Sequence, residues 1–220
     1  MAAPKFIYNP PAQRHLTVLH QDADLLVVDK PSGLLSVPGK GPEHADCLEA
    51  RAQEKFPTCR IVHRLDMDTS GVMVLAMNPK AHRHLGLQFE RRHTKKSYIA
   101  RVWGHMEHDH GEIDLPLICD WPNRPKQMVD HERGKPSQTT YEVLEREENA
   151  TRVLLTPRTG RSHQLRVHLL SLGHPILGDN LYAHPQALAA SDRLQLHAQS
   201  LTLFHPTGGA THTFEAKCEF

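Results

Sequence analysis

"HRLDMDTSGVMVLAM", residues 63–77, joins a charged, turn-forming segment to an unbroken apolar run. The run Gly71–Met77 has strand length and no polar interruption, so it predicts a central strand covered on both faces. Upstream, "RIVH" (60–63) reads as a strand entering the motif, and "DLLVVDKPSG" (24–33) as a short buried strand, Leu25 to Val28, closed by a Pro-Ser-Gly turn. "GPEHADCLEARAQEKFP" (41–57) predicts a helix ended by Pro57. Downstream, Asn78-Pro79 is a helix start, Asn as N-cap and Pro at the first helical position. That helix runs through Arg92 with Leu85 and Phe89 on its buried side.

The remainder is mostly strand. "KSYIARVWG" alternates, with Tyr98, Ala100 and Val102 on one face and Ile99, Arg101 and Trp103 on the other. "GEIDLPLICDWPNRPKQMV" predicts an irregular hairpin. "SQTTYEVLE" and "RVLLTP" predict paired strands, and "RLQLHAQSLTLFHP" and "THTFEA" predict closing strands around Thr207-Gly208-Gly209. "GRSHQLRVHLLSLG" (160–173) predicts a helix with Ser162 as N-cap, Gly173 as stop and an apolar line Leu165, Leu169, Leu172. Strands in runs with few helices between them predict the α+β class, with a mixed, largely antiparallel sheet. One domain over 1–220 is expected, preceded by an extended, Pro-rich arm at 1–17.

Hydrophobic residues make up 39% and charged residues 23% of the 220, an ordinary globular composition, with no run of the ~18 apolar residues a membrane helix needs. No secretion signal is visible, and Cys47, Cys59, Cys119 and Cys218 lack C-x-x-C spacing, so free thiols in a reducing cytoplasm are expected. "HMEHDH" (105–110) lacks metal-ligand spacing and predicts a solvated loop; no metal is expected. The net charge is only +1, but 91–101 carries Arg91, Arg92, Lys95, Lys96 and Arg101 with no acid, and 151–168 carries Arg152, Arg158, Arg161 and Arg166 with no acid. If the two segments meet, they form one positive face suited to phosphates.

Asp66 and Asp68 admit three readings. Asp68-Thr69-Ser70-Gly71 is the turn type of aspartic proteases, but that mechanism needs two such aspartates and the chain has one. A carboxylate pair could cut a glycosidic bond, but only 5% of the residues are aromatic, few for a sugar cleft. In the third reading Asp66 reacts, Arg64 assists, and 68–71 is a turn that aims them.

"HRLDMDTSGVMVLA", "KKSYIARVWG" and "TGRSHQLRVHLLSLGHPILGDNLY" occur in this order, and together they closely resemble the RluA family of RNA pseudouridine synthases. The likeness runs from "LLVVDKPSGLLSVPG" to "LQLHAQSLTLFHP", nearly the whole chain, and leaves no room for the S4 RNA-binding domain many relatives carry. "LPLICDWPNRPKQ" and the compact size favour the branch acting on stem-loops of 23S ribosomal RNA and of the tRNA anticodon arm.

The resemblance implies isomerisation of uridine to pseudouridine within structured RNA, with no cofactor and no obligate protein partner, by a monomer. Asp66 is the expected group acting at the ribose; covalent attack on C1′ and proton removal to a glycal both remain open. Arg166 matches the family's arginine that pairs with this aspartate. Tyr98 supplies a stacking surface and a phenol for proton exchange at C5. Arg64, with His63 second, is the candidate wedge filling the space of a flipped base. Arg91, Arg92, Lys95, Lys96, Arg161 and His163, with Arg124 and Lys126 from "WPNRPKQ", are candidate RNA contacts, and Leu196 a wall of the uracil pocket. A non-catalytic RNA-binding module is the rival reading; it would have no use for Asp66, Tyr98 and Arg166 together.

Overall fold

The computed structural model describes residues 7–220. In chain order the strands and helices are β1 (Thr17–Gln21), β2 (Leu25–Lys30), α1 (Leu48–Lys55), β3 (Arg60–Ile61), β4 (Ser70–Ala76), α2 (Pro79–Glu90), β5 (Lys95–Trp103) and β6 (His110–Asp114). They continue with β7 (Leu117–Cys119), β8 (Gln127–Val129), β9 (Gln138–Arg146), β10 (Ala150–Pro157), α3 (Gln164–Ser171), α4 (Pro185–Ala189), β11 (Leu196–Phe204) and β12 (Thr211–Glu215). The class is α+β, as the pattern predicts.

One sheet runs β1-β2-β4-β11-β5-β10-β9-β6, with β3 also on β4 and β12 also on β11. Every pairing in it is antiparallel except β4 with β11, which are parallel over His197↔Ser70 and Ala198↔Gly71. The apolar run is the interior strand it resembles: all seven residues of β4 are buried. Its alternate side chains feed two cores. Val72 and Val74 join Leu25, Val27, Leu201 and the α2 residues Ala81 and Leu85. Met73 and Leu75 join Leu26, Val28 and the α1 residues Leu48 and Ala52. A third core, beyond the parallel junction, packs Leu165 and Leu169 of α3 onto Ala100, Val102, Val153, Leu155 and Leu196.

The two basic segments do meet, since β5 and β10 pair antiparallel with Leu155 opposite Tyr98. Asn78 caps α2 as expected, its side chain accepting the Ala81 amide.

Several local expectations are corrected. Residues 1–6 of the expected arm lie outside the described residues, and Thr17 already belongs to β1, an edge strand whose half-exposed, mixed sequence carries little periodic signal. The helix over 41–57 is shorter: a 3-10 turn at Pro42–His44 precedes α1, which Cys47 caps through Sγ. Ser162 does not cap α3. His163 takes that position in the left-handed region (φ 53°) without a side-chain cap. The Gln164 side chain instead accepts from the Arg161 amide and the Thr159 hydroxyl, stapling the entry. Leu172 is exposed, because the helix ends at Ser171 and Gly173, at positive φ, turns the chain away.

Gly71 is required where it stands. Its φ is +114°, and a Cβ there would lie 2.2 Å from the Ala198 carbonyl oxygen. Gly71→Ala is therefore expected to cost about 3 kcal/mol or more, through strain and loss of the β4–β11 approach, read as a fall in the urea midpoint.

At the outer edge, His20 and His205 flank Asp22 at 2.6 and 3.1 Å, tying the β1–β2 turn to the end of β11. Burial alone would raise the Asp22 pKa, but hydrogen bonds from His20, the Asp24 and Leu25 amides and His205 outweigh it and hold the carboxyl far below its usual range. Burial lowers His205, yet the Thr207 carbonyl, Asp22 and Asp24 together raise it. The carboxylate contribution is complete above about pH 4 and fades as pH falls through the depressed value; the imidazolium contribution is complete below about pH 6 and fades as pH rises through the raised one. Asp22→Asn should therefore destabilise most between about pH 4 and 6.5, and urea unfolding across pH measures this.

Candidate active site

A cleft of about 1020 Å³ opens over the junction of the two halves of the sheet. Asp66 reaches it from the loop before β4, and Tyr98 and Leu196 from β5 and β11. His163 and Arg166 reach it from the start of α3. The cross-strand row explains the convergence. Tyr98 lies opposite Ala198, and Ala198 opposite Gly71, so the tyrosine is carried to the end of β4 from which Asp66 is suspended.

The Asp66 loop is held through its backbone. The Leu65 carbonyl accepts from Ser36 Oγ at 2.7 Å and the Asp66 carbonyl from the Thr69 amide at 3.1 Å. The Met67 carbonyl accepts from Lys30 Nζ at 2.8 Å and the Gly33 amide at 3.0 Å, and the Asp68 carbonyl from Ser32 Oγ at 2.7 Å. The "DKPSGLLS" segment thus grips three carbonyls on either side of residue 66 while the loop's own Thr69 amide holds the fourth, which fixes where the carboxylate of residue 66 points. Lys30 is fully buried; burial pulls its ammonium down to about 7, against the opposing pull of Asp68, Asp66 and Asp29.

Arg166 is buried at 3% exposure. Its guanidinium donates to both oxygens of Asp179, Nε at 2.8 Å and Nη2 at 2.6 Å, and to Asn180 Oδ1 at 3.3 Å. Nη1 remains 3.8 Å from Asp66 Oδ2. The arginine is thus anchored by Asp179 and offers its remaining face to Asp66. Asp179 is itself braced by the Leu181 and Tyr182 amides. Burial pushes the Tyr98 phenol well above its usual range, with Asp66 adding to the effect, so the phenol is protonated at neutral pH. Burial also raises Asp68, against the pull of Arg166, Lys30 and the Asn180 amide.

Of the residues singled out from the sequence, Arg64, Asp66, Arg92, Lys96, Tyr98, Arg124, Arg161, His163, Arg166 and Leu196 all line the cleft. His63 lines it too but is committed elsewhere: its ring stacks on Phe89 at 4.4 Å and its Nε2 accepts the Val74 amide. It is packing, not a free wedge. Lys95 projects from the opposite face of β5 to Tyr98, Arg91 is exposed at the end of α2 outside the cleft, and Lys126 lies over the Tyr182 ring. Arg101, on the opposite face of β5 from Tyr98 as the alternation predicts, is paired with Glu147 and is absent from the cleft lining. Arg158, read from the sequence only as a member of the basic segment 151–168, also lines the cleft; Lys30, Asp179 and Tyr182 were not singled out, although "VVDKPSG" and "GDNLY" stand within the motifs.

The cleft wall carries Arg64, Arg92, Lys96, Arg124, Arg158, Arg161 and Arg166 against only Asp66 and Glu90. On a chain of net charge +1 this is a strong local excess, and it suits a polyanion. Among the described residues no cluster of His, Cys, Asp and Glu has the spacing of a metal site, and no helix is long and apolar enough to cross a membrane.

The cleft thus gathers an aspartate, a tyrosine and an Asp179-anchored arginine under a cationic wall. The RNA pseudouridylate synthase family profile matches residues 24–171, and the chain belongs to that family. It is 59% identical over 206 residues to the dual-specificity RNA pseudouridine synthase RluA of Yersinia pestis, covering 93% of this chain and all of the relative. It is 57% identical over 214 residues to the protein of the same name from Escherichia coli K12, covering 97% and 98% of the two. Among solved structures, human RNA pseudouridylate synthase domain containing 1 superposes with a TM-score of 0.79 at 30% identity, over 95% of this chain and 86% of that one.

Asp179→Ala strands a buried guanidinium, and is expected to destabilise the fold by about 3–5 kcal/mol, seen in urea unfolding. Arg166→Met with Asp179→Leu should recover much of that stability and none of the activity.

Proposed function

We propose that this chain converts uridine to pseudouridine in stem-loops of both ribosomal RNA and transfer RNA, working as a monomer in the cytoplasm, with Asp66 as the group that acts at the ribose. The observation that carries this reading is the 3.8 Å approach of a buried, Asp179-anchored Arg166 to Asp66 at the floor of a cationic cleft. The dual target follows the relatives named above, which share more than half of their residues with it.

The reaction breaks N1–C1′ and joins C5 to C1′; C5 loses a proton and N1 gains one. A uridine must first leave its stack, which costs a few kcal/mol and less in a loop. Arg64 is exposed at the cleft mouth, two residues from Asp66, and a guanidinium stacks on bases while bonding phosphates. Arg64 fills the vacated space. Arg92, Lys96, Arg124, Arg158 and Arg161 hold the flanking phosphates. Inside, Leu196 and the Tyr98 ring sandwich the uracil, and the Tyr98 phenol serves proton exchange at C5. Asp66 meets C1′ or the adjacent ribose proton with the Arg166 guanidinium beside it, a positive charge that acts strongly where water is displaced.

Asp66→Asn tests this directly. Incubated with RNA lacking the modification and mapped by carbodiimide labelling, wild type should form pseudouridine. The variant should bind within about twofold and form none, because the carboxylate contributes to chemistry and not to affinity. A variant that still converts removes Asp66 from the mechanism. Replacing Arg92, Lys96 and Arg161 together by Gln should flatten the plot of log affinity against log salt by about two to three units of slope.

A further inference from the structure

Tyr182 is drawn into the site by three contacts, yet it does not line the cleft. Its Oη accepts the Gln127 amide at 2.7 Å, on the β7–β8 hairpin. The same oxygen lies 2.7 Å from His163 Nδ1, and His163 Nε2 lies 4.0 Å from Asp66 Oδ2. The Tyr182 ring carries the Arg166 guanidinium at 5.1 Å on its face. One side chain thus touches the hairpin, the histidine beside Asp66 and the arginine facing Asp66.

Matching donors to acceptors sets the protonation of this file. Burial pushes the Tyr182 phenol up to about 12, so it keeps its proton. Oη accepts from Gln127, and a phenol that keeps its proton can give it to His163 Nδ1 when that ring is neutral. In that tautomer the His163 proton sits on Nε2, on the side of Asp66. Burial also favours the neutral ring, while Asp66, Asp179 and Asp68 pull the other way and Arg166 adds to the burial effect. Lys126 approaches the far end of the file, over the Tyr182 ring. His163 needs such a hold, because it sits at φ 53°, a left-handed backbone without a capping bond.

The hairpin is placed to feel RNA. Arg124 and Pro125 line the cleft, and Arg124 stacks at 4.6 Å on Trp121, a tryptophan left 65% exposed. We propose that Tyr182 is a positioning residue through which RNA seated on the β7–β8 hairpin sets the aim of His163, and with it Asp66. This rests on the reading that Asp66 acts on uridine.

Tyr182→Phe keeps the ring under Arg166 and removes only Oη. The single-turnover rate at saturating RNA should fall about tenfold while RNA affinity changes less than about twofold. With Nδ1 left buried and without its donor, His163 should take up a proton more readily. Its imidazole resonance, assigned by comparison with His163→Gln, should titrate at higher pH, and the low-pH limb of the rate profile should move up with it. Arg124→Ala should slow the single-turnover rate in wild type and have a smaller effect in the Tyr182→Phe background. Should Tyr182→Phe not fold, the cycle of Arg124→Ala with His163→Gln reads the same coupling with Tyr182 intact. A wild-type rate in Tyr182→Phe, an unmoved His163 titration, or strict additivity in the cycle overturns the proposal. Inactive wild-type protein on unmodified RNA overturns the underlying reading as well, which separates the two failures.

Discussion

The two halves of the sheet touch along one short parallel junction, and everything at the site depends on how close that junction is. Ser70 and Gly71 of β4 pair with His197 and Ala198 of β11, and the backbones approach so nearly that residue 71 has no room for a side chain. Asp66 belongs to one half. Tyr98, Leu196, His163 and Arg166 belong to the other. Apolar packing crosses the junction, with Leu201 of β11 among Val72 and Val74 and Ala198 among Met73 and Leu75. The Gly71 contact fixes how near the two halves come. It brings the loop before β4 over the row Tyr98–Ala198 and lets the aspartate meet the tyrosine and the arginine in one cleft.

Charge at this junction is arranged in pairs of unequal burial. Arg166 and Asp179 are both almost wholly enclosed, with side-chain exposures of 3% and 0%, and they satisfy each other with two hydrogen bonds. A buried pair of this kind contributes little net stability, because desolvation of the ions cancels most of their attraction. Its effect here is geometric. The guanidinium is fixed by one carboxylate so that its remaining face can serve another, and Asp66 keeps 31% of its side chain open. Lys30 does similar work on the opposite side: its ammonium is used up by the Pro31 and Met67 carbonyls, so it holds the loop without competing for the Asp66 carboxylate. The exposed cations lie farther out on the cleft rim, where phosphates arrive with water still present and screening by salt remains effective.

The parts of the fold that were legible in the sequence are those whose burial is complete or whose caps are local. The apolar run at 70–76, the alternation of 95–103, the paired strands 138–146 and 150–157 and the Asn78-Pro79 start all carry their signal within a few residues. The misses share a cause. β1 is an edge strand and half exposed, so its pattern is diluted. Ser162 has the chemistry of a cap, but the Gln164 side chain reaches back and takes the Thr159 hydroxyl and the Arg161 amide, a competition settled by the loop's path. His63 and Arg101 look like surface cations. The phenyl ring of Phe89 and the carboxylate of Glu147, distant in sequence, claim them.

For the site, residue types alone suggested only a cationic surface and left Asp66, Tyr98 and Arg166 open to ordinary readings as a turn aspartate, a packing tyrosine and a solvated arginine. The long motifs around them, which resemble a known family, are what singled the three out. What the linear chain could not contain was who holds whom. Asp179 anchoring Arg166, Lys30 gripping the Met67 carbonyl, and Tyr182 joining the hairpin to His163 are all contacts between segments that only the sheet brings together. Local sequence determines which groups can react, because reactivity belongs to the side chain. Tertiary structure decides their distance, burial and partners, because those are set by the register of strands far apart in the chain.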